Sequence, residues 1–81
     1  MQCVRVRMSG FAGLSVEKKH EVCADNNLKV QYVIEQVEKN TGMHIDRDEI
    51  MIMCNDRQLY IDENVPNECM EILIFPLALG G

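Results

Sequence analysis

Apolar and polar residues alternate from Cys3 to Met8, with Val4, Val6 and Met8 on one side and Cys3, Arg5 and Arg7 on the other. Successive side chains of a strand point to opposite faces of its sheet, so this run predicts a half-buried strand. Ser9-Gly10 and Ala12-Gly13 break the alternation, and Phe11, Leu14 and Val16 are expected to anchor the connecting loop to the core. His20 to Ala24 offers a second short strand, which would make an antiparallel hairpin with a long connection.

The period then changes. Val30, Val33, Ile34 and Val37 fall at i, i+3, i+4 and i+7, which is the apolar stripe of a helix, while Gln31, Glu35, Gln36 and Glu38 face away. Asp25-Asn26-Asn27 supplies side chains able to accept from free N–H groups at its start, and Gly42 marks its end. Ile50 to Cys54 is short, continuously apolar and partly β-branched, the pattern of a central strand covered on both faces. Asn55-Asp56 is turn chemistry, Gln58 to Ile61 reads as a brief strand, and Asp62 to Asn67 as a polar connection. In the last strand, Met70 to Phe75, the alternation puts Met70, Ile72 and Ile74 toward the core and leaves Leu73 and Phe75 partly exposed. Strand, strand, helix and further strands make an α+β domain with the helix across one face of a mixed sheet, the first and last strands lying parallel at its centre.

Composition narrows the function. With 81 residues, 47% of them hydrophobic, the chain can build a single core. Residues 1–40 carry six Lys/Arg and five Asp/Glu, whereas residues 41–81 carry two and eight, giving the net charge of −5. That balance lacks the basic stripe that binds phosphate backbones, so no nucleic acid partner is expected, and it suits a basic protein surface instead. No apolar run approaches the roughly 20 residues of a membrane span, and a soluble cytoplasmic protein is expected. Cys3, Cys23, Cys54 and Cys69 have no CxxC spacing, so no metal site is indicated and reduced thiols are expected.

The chemistry concentrates at the end. Pro76 cannot donate to a strand ladder, and Leu77-Ala78-Leu79-Gly80-Gly81 could extend about 16–18 Å beyond the sheet. Glycine has no Cβ, so Gly80-Gly81 can thread a narrow passage and present the Gly81 carboxylate to an active site on another protein. Phe75 and Leu73, partly exposed beside an apolar tail, have the character of interface anchors. His20 and His44 lack a nucleophile or ligand pattern, and Asp46, Asp48 and Glu49 lack calcium-loop spacing. Cys54 reads as packing and Cys69 as an exposed, oxidisable thiol in a polar turn, while Met43, Met51, Met53 and Met70 are expected to fill core gaps.

The element order, with Glu71-Ile72-Leu73-Ile74-Phe75-Pro76 and the final Gly80-Gly81, resembles the ubiquitin-like β-grasp sulfur carriers. Within that group it looks most like the small subunit of molybdopterin synthase. Glu68-Cys69-Met70 stands where these proteins usually carry an acidic-Gly-Asp turn, Leu77 where a second proline is common, and Leu79 where a small residue is usual. The resemblance implies a β-grasp domain over residues 1–76 and a flexible tail over 77–81. It implies that an ATP-dependent adenylating enzyme activates Gly81, that sulfur displaces AMP to give a C-terminal thiocarboxylate, and that the tail delivers this sulfur to a large synthase subunit. Gly81 would take the covalent role, Gly80 the steric one, and Leu77, Ala78 and Leu79 would guide the tail, with Pro76, Phe75 and Leu73 docking. The chain would be a non-catalytic donor subunit that binds no cofactor itself. A carrier for thiamine, for a tungsten-type pterin or for another sulfur pathway, and a ubiquitin-like protein modifier, share the same tail chemistry.

Overall fold

The computed structural model describes residues 1–11 and 19–77. Five strands and a helix form in the expected order: β1 (Gln2–Met8), β2 (Lys19–Ala24), α1 (Val30–Thr41), β3 (Ile50–Cys54), β4 (Arg57–Leu59) and β5 (Glu71–Pro76). A 3₁₀ turn at Arg47–Glu49 precedes β3. The sheet order is β2-β1-β5-β3-β4, with β1 and β5 parallel and every other neighbouring pair antiparallel. This is the α+β, ubiquitin-like β-grasp arrangement.

The apolar stripe explains where α1 lies. Val30, Val33, Ile34 and Val37 are each at most 1% exposed and share one core with Val4, Val6, Ile52, Ile72 and Ile74 from the inner side of the sheet. Gly42 ends the helix in the left-handed region at φ 75°, its N–H donating to the Glu38 carbonyl, a conformation that a residue without a Cβ adopts freely. Its start differs from expectation. The N-cap is Lys29 and makes no side-chain cap, so Asp25-Asn26-Asn27 does not serve that role. The Val30 N–H donates instead to the Glu63 carbonyl at 3.0 Å, and the Gln2 amide bridges Leu28 N–H and the Val65 carbonyl at 3.1 and 2.9 Å. Backbone from the β4–β5 connection thus supplies what a local cap would have supplied.

Two strand readings need correction. In β3 only Ile50, Ile52 and Cys54 are buried, while Met51 and Met53 are half-buried, because the helix covers one face of the sheet. β3 has a neighbour on each side, but the middle strand is β5. Met70 does not join Ile72 and Ile74 in the core: it is 72% exposed, and Cys69 takes the inward place at 2%. A turn closed by Cys69 N–H to the Pro66 carbonyl reorients the chain before β5 begins, so the strand alternation does not extend back to Met70.

The cysteines are not free. Cys3 pairs with Cys23 and Cys54 with Cys69 in disulfides, against the expectation of reduced thiols. Cys3 and Cys23 stand directly opposite in the β1–β2 register, and Cys54 pairs in register with Ile72, close to where Cys69 turns inward. Both pairings depend on a three-dimensional register that linear spacing does not reveal. Cys69 is therefore buried and bonded rather than an exposed thiol.

Candidate functional site

The sheet face away from α1 carries the candidate site. On β5 the inward residues Ile72 and Ile74 are buried, which turns Glu71, Leu73 and Phe75 outward, each half-buried. The antiparallel register with β3 sets Met53 opposite Leu73 and Met51 opposite Phe75. Residues directly opposite in adjacent strands share a face with their Cβ atoms about 4.5–5.5 Å apart, so these four side chains form an apolar strip. Against the expectation that they fill the core, Met51 and Met53 belong to this strip. The Ile-Met alternation of β3 held that signal, but both residue types are apolar.

Charge borders the strip on the β1 side. Arg7 is in register with Leu73, and its guanidinium lies 3.4 Å from the Glu71 carboxylate. At one end the strip reaches Pro76 and Leu77. Pro76 is paired with Ile50, and the Leu77 N–H donates to the Glu49 carbonyl at 2.9 Å. Gly10, at φ +80°, lies against the same proline, where an added Cβ would sit 3.4 Å from Pro76 Cδ. Leu77 is 37% exposed, so the apolar surface continues past the last strand residue. The structure thus brings Leu73, Phe75, Pro76 and Leu77 together, while Ala78, Leu79, Gly80 and Gly81 lie outside the described residues.

The remaining candidates are dispersed. His44 is exposed and lies 3.4 Å from Glu38, and His20 sits at the start of β2 with a buried Nε2 that has no hydrogen-bond partner among the described residues. Asp46 accepts from the Asp48 N–H as the cap of the 3₁₀ turn. Among the described residues no group of three or more His, Cys, Asp or Glu side chains is gathered as a metal site. Of the four methionines read as core fillers, Met43 packs against the core. No helix among the described residues is long and apolar enough to cross a membrane.

One electrostatic cluster stands apart from the strip. Arg47 grips Glu38 with both terminal nitrogens, at 2.8 and 2.9 Å, while the Ile45 N–H donates to the same carboxylate at 2.7 Å. The Arg47 hydrogen bonds first, and the Ile45 amide second, hold the Glu38 pKa down from 4.5 to about 2. This clasp secures the chain between α1 and β3 and contains no reactive group.

No protein-family model and no curated protein matches the chain. Among solved structures it is similar to the crystal structure of ATBAG1 in complex with HSP70, at a TM-score of 0.60 and 15% identity. The match covers 94% of this chain and 41% of that one, so the protein spans less than half the length of that neighbour. A likeness at this identity is one of fold.

Proposed function

We propose that the protein is a sulfur carrier of the molybdopterin synthase small-subunit type. The observation that carries this reading is the apolar strip of Met51, Met53, Leu73 and Phe75, which adjoins Pro76 and the exposed Leu77, with Ala78-Leu79-Gly80-Gly81 following in the sequence. A strip of this kind can dock on a partner while the tail enters that partner's active site. The fold supplies rigidity where docking needs it, since β5 is the middle strand.

In this reading a partner adenylating enzyme uses ATP to convert the Gly81 carboxylate into an acyl adenylate, whose AMP is a good leaving group. Hydrosulfide from a donor attacks the acyl carbon, the bond to AMP breaks, and a thiocarboxylate remains; with a persulfide donor the first product is an acyl disulfide, which a second thiol cleaves to the thiocarboxylate as a disulfide forms. Gly80 and Gly81 add no side chain to the passage through which the tail reaches each catalyst. The large synthase subunit then takes the sulfur for the pterin dithiolene, and this chain contributes no catalytic base. The cytoplasm is part of the proposal, although disulfides persist chiefly in oxidising compartments. Differential alkylation of the four cysteines in cells tests that placement.

The decisive measurement is the intact mass after incubation with a cognate activating enzyme, ATP and a sulfur source. Replacement of one oxygen by sulfur at Gly81 is expected. Tail-dependent adducts on lysines of other proteins, without thiocarboxylate, would instead support a ubiquitin-like modifier.

A further inference from the structure

The two disulfides occupy opposite environments. Cys54 and Cys69 are 3% and 2% exposed, within the core. Cys3 is exposed and Cys23 half-buried, on the outer face where β1 pairs with the edge strand β2. Thiol–disulfide exchange requires a thiolate to reach a sulfur, so access separates a reactive bridge from an inert one.

Cys3 also borders two hollows. One, of about 270 Å³, is lined by Cys3, Val4, Arg5, Glu21 and Met70. The other, of about 560 Å³, lies between Met1, Cys3 and Met70. Cys69 also lines the second, but at 2% exposure it is far less open to attack than the exposed Cys3. Arg5 and Glu21 face each other across the β1–β2 register, both exposed, and neither forms an ion pair among the described residues. A cation and an anion beside an accessible sulfur match a molecule that carries a carboxylate, an ammonium and a thiol.

We propose that Cys3–Cys23 is a thiol-exchange site for a small zwitterionic thiol, held by Arg5 through its carboxylate and by Glu21 through its ammonium. The thiolate of the small molecule attacks Cys3 Sγ and forms a new S–S bond as the Cys3–Cys23 bond breaks. Cys23 leaves as a thiolate and takes up the proton that the small thiol lost to water. The product is a mixed disulfide on Cys3 and a free thiol on Cys23, with no net oxidation. A second thiol attacking the mixed disulfide releases the oxidised dimer of the small thiol, so two protein sulfurs are reduced as two small thiols are oxidised. The site lies at the start of β1, whereas Pro76 and Leu77 lie at the far end of the parallel strand β5, so the proposal is independent of the sulfur-carrier reading.

Graded reduced glutathione on the full chain, followed by quenching with iodoacetamide and peptide mass mapping, tests it. The tripeptide adduct is expected on Cys3 and the alkyl group on Cys23, at concentrations that leave Cys54–Cys69 intact. Opening of Cys54–Cys69 at the same or a lower concentration, or absence of any Cys3 adduct, would overturn the assignment. The Arg5→Ala/Glu21→Ala variant should slow exchange with glutathione by about two- to five-fold, as expected for exposed ion pairs, and leave exchange with uncharged 2-mercaptoethanol unchanged. Equal rates for variant and parent with glutathione, or equal slowing with both thiols, would overturn the zwitterion-binding role.

Discussion

Glu38 illustrates how one side chain fastens a segment that has little regular structure of its own. Its carboxylate accepts from Arg47 and from the Ile45 amide, and its pKa falls from 4.5 to about 2. A carboxyl depressed in the folded state contributes its stabilisation in full above the unfolded value, and loses it as pH falls through the folded one. Thermal melting of the parent and of Glu38→Gln should therefore differ most near neutral pH and converge between about pH 4.5 and pH 2. A gap independent of pH would show that the charge is not what matters. This pairing had no sequence signature, since Glu38 and Arg47 are nine positions apart and the helix between them ends at Gly42.

Among the elements, helix α1 and the inner faces of β1 and β5 were legible in the sequence because their apolar residues recur at unambiguous periods. Val33 and Ile72 are 1% and 0% exposed, and truncating either to alanine should cost about 2–4 kcal/mol, measured as a shift in denaturant midpoint at constant slope. An unchanged midpoint would contradict the core assignment. Legibility failed where local rules yielded to packing. Asn27 takes φ 52° and the helix borrows its cap from Glu63, so the Asp-Asn-Asn signal pointed to a site it does not occupy. In β3 a run of apolar residues has the same appearance whether one face is covered or two, and only the position of the single helix decides. Cysteine pairing was hidden for a related reason, because it follows from strand register between cysteines 20 positions apart in one case and from a turn in the other.

At the level of the whole molecule, the proposed sulfur carrier would use the apolar strip together with Pro76 and Leu77 as one docking surface, and mutation should then separate docking from loading. An interface of standard size buries about 800 Å² on each partner, with most of the energy in a few aromatic or apolar anchors. If the proposed function holds, Phe75→Ala should weaken binding to a large synthase subunit about 30-fold by calorimetry, while circular dichroism stays unchanged because Phe75 is only half-buried. Deleting Gly80-Gly81 should abolish sulfur loading and leave that affinity largely intact. Equal affinity for the Phe75 variant would remove the strip from the docking surface.

The parallel pairing of β1 with β5 sets Met1 and the Pro76-Leu77 segment at opposite ends of the sheet. Met1 is 88% exposed there. A fluorophore, affinity tag or surface-immobilisation handle attached at Met1 would consequently leave the Leu77 end unobstructed, whereas the same attachment after Gly81 would cap the carboxylate on which the proposed chemistry depends.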